Sequence, residues 1–378
     1  MVGDLIYIYK IQIFSVNNKK ILLIIQDLDY GGAEKVFISL ANGFAKEGHS
    51  VCLLLGKRIG VYFDLVDDVV VIEDIDAITL LDFCRKLPGF LKNREFTHVF
   101  TAFDYISVAV YLIKKWKRYN FKFIATLHYD LPFQLSIIPK INQVWLSWIN
   151  KTFIAKADKL ISVSKGVGRG FEKVVGKHMD NLQTIYNPVF SDAIYRYGAK
   201  PLDEPLKGKK NIIFLGRLAE QKAPLFLLQT YSLVQKKLPD VHLYIVGDGP
   251  LRPKMEEYLA QNKLTGSVHL VGFDPNPYKF LAKGNLLVLS SLYEGLGNVI
   301  IEALALGINV VSTDCPSGPG EILDNGKYGW LSPINDAKKL SHNILEALEN
   351  PMDIAILQKR AEMFRESVIV KEYLTVLD

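Results

Sequence analysis

The stretch Leu286-Leu-Val-Leu-Ser-Ser-Leu-Tyr-Glu-Gly-Leu-Gly-Asn-Val-Ile-Ile-Glu302 decides the fold. Four consecutive apolar residues, Leu286–Leu289, read as a buried strand of a parallel sheet. Gly295 and Gly297 then make a turn, and Asn298 onward has the composition of a helix running to about Leu306. A strand, a glycine turn and a helix start form an anion site, because the free amides and the positive end of the helix dipole point at whatever binds there. Glu294 and Glu302 suit a second task, accepting hydrogen bonds from hydroxyls. At ~100° per residue the two would sit ~80° apart on one helix. Glu294 is therefore expected in the loop and Glu302 in the helix. Phosphates and hydroxyls together are what a nucleotide-sugar offers.

The same rhythm runs outward from this stretch. Upstream, Asn211–Leu215, Val241–Val246 and Val268–Gly272 read as strands, with helices such as Ala223–Leu238 between them. Downstream, Ile308–Ser312 reads as the last clear strand, and the tail from Lys338 as helical, interrupted near Asn350-Pro351. The first half repeats the pattern with Lys20–Gln26, His49–Leu55, Val69–Ile72, His98–Thr101, Phe123–Leu127, Asp158–Ser164 and Leu182–Tyr186. Alternating strands and helices imply doubly wound parallel sheets, an α/β fold. The segment from Lys200 to Lys210, with two prolines, charges and a glycine, reads as a linker. Residues 1–200 and 201–360 are thus expected to be separate domains. Residues 1–18 form a leader that lacks the basic start and cleavage site of a signal peptide.

Composition narrows the chemistry. The chain has 378 residues and three dispersed cysteines, with no CxxC, so no disulfide framework is indicated. No run reaches the ~18–20 apolar residues that span a bilayer. The net charge of +5 is unevenly spread: from Tyr105 to Phe171 there are eleven Lys and Arg but only Asp130 and Asp158 as acids. Within that region Lys114, Lys115, Trp116, Lys117 and Arg118 mix cations with an aromatic ring. Ile138, Ile141, Trp145, Trp148 and Ile149 recur at helical spacing in an expected helix Ile137–Lys156. Basic and aromatic side chains on an amphipathic helix fit an anionic membrane surface; the competing reading is a core-facing helix with a solvated basic rim. No nucleic-acid module accompanies the charge, so no nucleic-acid partner is expected.

Motif spacing excludes several chemistries. Gly247-Asp-Gly-Pro lacks the third glycine of a dinucleotide fingerprint, and neither GxxxxGK[ST], GxSxG nor HExxH occurs. Asp27-Leu-Asp29 is formally a DxD, which a metal could use, although a turn ahead of Gly31-Gly32 explains it as well. His128 follows a strand, at the sheet edge where open α/β proteins bind ligands. Arg217 and Lys222, in the exit loop of another strand, can neutralise a diphosphate, although as a surface pair they would be unremarkable.

The second half resembles the donor domain of family 4 retaining glycosyltransferases. The residues that carry this are Gly216-Arg-Leu…Lys222, Gly247-Asp-Gly-Pro and Glu294-x7-Glu302 within EGLGNVIIEALALG. Gly31-Gly-Ala-Glu34, His128 and Asn187-Pro188 are similar in the first half. The resemblance implies a GT-B fold, two Rossmann-like doubly wound domains facing a cleft, with residues 361–378 returning to the first domain. It implies that Arg217 and Lys222 bind the donor diphosphate, with Gly247, Asp248 and Gly249 lining the donor site. Glu294 and the backbone of Gly295, Leu296, Gly297 and Asn298 would hold sugar and phosphate. Glu302 would accept from the ribose hydroxyls, and Phe273 would meet the base. Gly31 and Gly32 would line the donor phosphate or the acceptor, and His128 would contact the transferred sugar. UDP is the commonest nucleotide of the family, and no metal or resident cofactor is implied. The basic first domain resembles relatives that glycosylate lipid-linked or polysaccharide acceptors at the cytoplasmic membrane face. A nucleotide-sugar epimerase and a non-catalytic partner subunit are the alternatives.

Overall fold

A computed structural model describes residues 18–29 and 31–378, so nearly all of the leader lies outside the described residues. The chain divides into two compact units. The first comprises the described residues up to Val163, with Val167–Pro188 and Glu366–Asp378; the second comprises Ser164–Gly166 and Val189–Arg365. The division at Pro188 lies upstream of the charged segment at 200–210, because the helix Ala193–Gly198 packs within the second unit. A Cβ on Gly198 would meet Ala282 and Leu306, each at 3.1 Å.

The first unit is built on seven parallel strands: β1 (Lys20–Ile25), β2 (Ser50–Leu55), β3 (Val71–Asp74), β4 (His98–Thr101), β5 (Lys122–Leu127), β6 (Lys159–Ser162) and β7 (Leu182–Thr184). Their order is β3-β2-β1-β4-β5-β6-β7. KILLII and SVCLLL are buried after their first residue, as unbroken apolar runs must be when helices cover both faces of a sheet. The second unit has six parallel strands: β8 (Lys210–Leu215), β9 (Val241–Val246), β10 (Val268–Gly272), β11 (Leu286–Leu289), β12 (Asn309–Thr313) and β13 (Trp330–Ser332), ordered β10-β9-β8-β11-β12-β13. In both sheets the order reverses beside the first strand, between β1 and β4 and between β8 and β11. The crevice outside the carboxyl ends at such a point is where open α/β sheets hold ligands.

Three elements differ from the sequence expectation. β13 follows β12, which had read as the last clear strand. Its three residues are too short for periodicity to register, and parallel pairing with β12 from Val311↔Trp330 to Thr313↔Ser332 is what makes it a strand. The expected helix Ile137–Lys156 is two helices, Leu131–Ile137 and Lys140–Thr152. Pro139 has no amide to donate and forces Ile138 into an extended conformation, so the helix must restart. The tail breaks into a short 3₁₀ turn, Glu362–Phe364, and the helix Glu366–Leu374. That last helix lies on Gly32–Lys46 in the first unit. Val370 fills the space where Gly43 would carry a Cβ, at 2.5 Å, and Tyr373 meets Phe44 and Phe100 with ring centroids 6.5 Å apart in each case.

Candidate active site

In the second unit, pairing of β8 with β11 sets the loop after Leu215 beside the loop after Leu289. Leu292 donates its amide to Gln221 O at 2.8 Å, Gln221 returns its side-chain amide to Tyr293 O at 3.1 Å, and Ser290 Oγ donates to Lys222 O at 2.7 Å. These bonds fix the two loops in register, and the side chains they carry then meet. Lys222 Nζ lies 2.5 Å from Glu294 Oε1, and Ser291 Oγ donates to the same oxygen at 2.6 Å. Glu294 is only 5% exposed. A carboxylate this buried loses its hydration, and the Lys222 ammonium and the Ser291 hydroxyl offset that loss.

Gly297 takes φ +91°, a conformation open to glycine, and starts the helix Asn298–Ala305 with no side-chain cap at its amino end. Glu294 precedes this helix and Glu302 lies within it, the asymmetry that the eight-residue spacing implied. Glu302 is also buried, and Tyr278 donates its hydroxyl to Glu302 Oε1 at 2.9 Å. Leu296 is buried too, so its side chain serves the core and only its backbone can face a ligand.

Gly247 and Gly249 have a structural reason for being glycine. A Cβ on Gly247 would stand 2.0 Å from Gly216 O, and one on Gly249 would stand 2.6 Å from Leu218 O. The turn is laced to the first loop by Leu218 N to Asp248 O at 2.9 Å and Leu251 N to Leu218 O at 2.9 Å. Asp248 caps its own turn through Gly249 N at 2.7 Å and pairs with Arg252 at 3.6 Å. Arg217, which this turn supports, is exposed and has no ion-pair partner among the described residues. Phe273 leaves β10 through Gly272 and is 41% exposed, a large ring on the surface.

In the first unit the carboxyl ends of β1, β4 and β5 carry a second group of polar residues. His128 Nε2 lies 2.7 Å from Thr126 Oγ1, and that hydroxyl donates to Thr101 O at 2.9 Å. Because the hydroxyl's one proton is committed to Thr101, His128 must donate from Nε2 and keep an open lone pair on Nδ1. Burial holds its pKa down to about 4, so the ring is neutral at physiological pH. Phe37 lies against it with centroids 6.1 Å apart. Asp27 Oδ1 accepts the Asp29 amide at 3.1 Å, the geometry of a turn.

Gly31 precedes the helix Gly32–Lys46 with φ −156°, which any residue adopts. Its lack of a side chain is used instead by Glu34, whose Oε2 would be 1.8 Å from a Cβ there. Burial, with Asp27 and Asp29 nearby, pushes the Glu34 carboxyl up to about 7. The amino end of this helix is therefore partly occupied by the chain's own carboxyl group. Tyr105 donates to Gln26 Oε1 at 2.7 Å close by.

The basic and aromatic residues of the first unit divide. Lys114 turns inward to Asp158 and lies over Phe121. Lys115, Lys117 and Arg118 are exposed, and Lys117 sits 3.9 Å over the ring of Trp116, itself 71% exposed. On the helix Lys140–Thr152, Ile141, Val144, Trp145 and Trp148 are all exposed. A core-facing helix would have buried them.

Ser291, Glu34 and Tyr278 are among the residues in this geometry to which the sequence reading gave no role. Ser291 lies inside the decisive stretch and Glu34 inside the Gly-Gly motif, so both were in view without a role. Tyr278 reaches Glu302 through a contact 24 residues away, and nothing local in the sequence signals it.

Comparison with known proteins gives a consistent picture. Residues 30–192 match the Glycosyltransferase Family 4 domain, and residues 209–350 match the Glycosyl transferases group 1 domain. An uncharacterized glycosyltransferase of Methanocaldococcus jannaschii is 38% identical over 40% of this chain and 39% of its own length. The N-acetylgalactosamine-N,N'-diacetylbacillosaminyl-diphospho-undecaprenol 4-alpha-N-acetylgalactosaminyltransferase of Campylobacter jejuni is 30% identical over 54% of this chain and 55% of its own length. The chain thus matches from two fifths to just over half of these two relatives. The crystal structure of Anabaena HepE with UDP and glucose superposes with a TM-score of 0.76 over 95% of this chain and 99% of that one, at 19% identity. The fold is GT-B.

The Glu34 carboxyl has a consequence for stability. The unfolded chain releases this proton near 4.5 and the folded chain near 7, so folding stability falls as pH rises through that window. Glu34→Gln removes the penalty. Urea unfolding should find the variant about 3 kcal/mol more stable than wild type at pH 8, with the gap closing by pH 4.5. An equal gap at both pH values would show that the carboxyl is not held protonated.

Proposed function

Because this chain belongs to the family 4 and group 1 glycosyltransferases, we propose that it transfers a hexose or N-acetylhexosamine from a nucleotide-sugar to a lipid-linked or polysaccharide acceptor, with retention of anomeric configuration and without a metal. The observation that carries this reading is the joining of Lys222, Ser291 and Glu294 at the start of a glycine-opened helix in the second unit. Arg217, Lys222 and the helix amides neutralise the diphosphate as it departs, when its charge is greatest. Glu294, held by Lys222 and Ser291, accepts from a hydroxyl of the sugar. Glu302 accepts from the ribose, and Phe273 offers its ring to the base. The HepE complex with UDP and glucose supports UDP as the nucleotide. In the first unit, neutral His128 with Nδ1 open is suited to accept from a sugar hydroxyl.

The acceptor reading rests on the first unit. Exposed Trp116, Trp145 and Trp148 among exposed lysines suit an anionic membrane surface at the cytoplasmic face, where an acceptor like the undecaprenol-linked one named for the Campylobacter relative would be presented. No helix among the described residues is long and apolar enough to cross a membrane.

Two measurements test the proposal. Sugar transfer from a UDP-sugar by Glu294→Ala should fall by roughly 10²–10³-fold; full activity in the variant would overturn the assignment of that residue. Trp145→Ser combined with Trp148→Ser should release the protein from anionic liposomes in a sedimentation assay at low salt. A wild type that fails to sediment under those conditions would remove the membrane from the account.

A further inference from the structure

The two buried glutamates of the second unit share a device. In each, one carboxylate oxygen is taken by the protein: Oε1 of Glu294 by Ser291 and Lys222, and Oε1 of Glu302 by Tyr278. In each, Oε2 has no donor among the described residues. A carboxylate tied at one oxygen cannot turn freely, so its second oxygen points in one direction.

For Glu302 the tie comes from an element with its own supports. Tyr278 begins the short helix Tyr278–Leu281, and the loop after Phe273 leads directly into it. Asp274 pairs with Lys279 at 2.8 Å with both side chains mostly buried, and it accepts the Asn276 amide at 2.8 Å. Asn276 in turn donates its side-chain amide to Tyr197 O at 2.9 Å, and the Tyr197 ring lies against that of Tyr278, centroids 6.4 Å apart. The loop that carries Phe273 and the residue that aims Glu302 are thus one rigid segment.

We propose that Tyr278 is a positioning residue that makes the site selective for a ribose diol: by holding Oε1 it aims Oε2 of Glu302 at the hydroxyls. This rests on the reading of Glu302 as the ribose acceptor. The deoxy sugar offers no hydroxyl to that oxygen, and a buried carboxylate oxygen left unpaired counts against such a ligand. Discrimination of this kind needs the carboxylate held still, which is the work of the Tyr278 hydroxyl. Phenylalanine at this position keeps a ring to lie against Tyr197 and removes the hydroxyl that donates to Glu302.

Isothermal titration of the full chain with UDP and with 2′,3′-dideoxy-UDP tests this, using wild type and Tyr278→Phe. Wild type should bind UDP at least about tenfold more tightly than the dideoxy analogue. The variant should lose roughly tenfold in UDP affinity and stay within about twofold on the analogue, so that the preference collapses. Unliganded thermal melts of the two proteins confirm that both are folded. A variant that weakens both ligands equally, or neither, would overturn the role of Tyr278. A wild type indifferent to the ribose hydroxyls would overturn the Glu302 assignment itself, and this inference with it.

Discussion

The contact on which the candidate site depends is the buried pair of Lys222 and Glu294, 2.5 Å apart with Ser291 on the same oxygen. Two charges taken out of water cost several kcal/mol each, and their attraction recovers this only in good geometry with the remaining bonding positions filled. That demand reaches back through the fold. Lys222 must end the exit loop of β8, Glu294 must lie within the exit loop of β11, and the two strands must be neighbours. The sheet order supplies the neighbourhood, and the hydrogen bonds among Gln221, Ser290, Leu292 and Tyr293 supply the register. A hydrophobic pair would hold the loops as well or better.

The glycines divide by what they do. Gly297 needs its positive φ to open the helix, and Gly247 and Gly249 need to be small so that one backbone can lie on another. Gly31 makes room for the Glu34 carboxyl. A glycine-rich loop in sequence therefore signals close approach without saying of what. In the second unit the approach is partly of loop to loop, and the geometry of the candidate site is a product of that packing.

Much of this was legible in the sequence, for a physical reason. Strands buried on both faces read as unbroken apolar runs, so β4, β9, β10 and β11 were placed to the residue and most others within two. Short or interrupted elements were not: β13 has three residues and depends on its neighbour, and Pro139 outweighs the helical spacing of Ile138 and Ile141. Charged residues after strands marked the candidate site, because the carboxyl ends of a parallel sheet are where such loops converge. Which oxygen of Glu294 or Glu302 is occupied, and by whom, was not legible, since Tyr278 and Glu302 meet only in the folded chain. The tautomer of His128 likewise follows from Thr126 and Thr101, which belong to different strands.

The central claim is that the second unit holds a nucleoside diphosphate on Arg217 and the loops around Lys222 and Glu294. Arg217 is the residue to probe, because it is exposed and without an ion-pair partner among the described residues, so its loss should leave the unliganded fold intact. Thermal unfolding against a panel of nucleoside diphosphates and nucleotide-sugars tests the claim most directly. At 100 times its dissociation constant a bound nucleotide adds about 2.7 kcal/mol to stability, which raises Tm by several degrees. The account predicts such a rise in wild type with at least one nucleotide, and its loss at the same concentration in Arg217→Ala. A panel in which no nucleotide raises Tm, or a rise undiminished in Arg217→Ala, would contradict it.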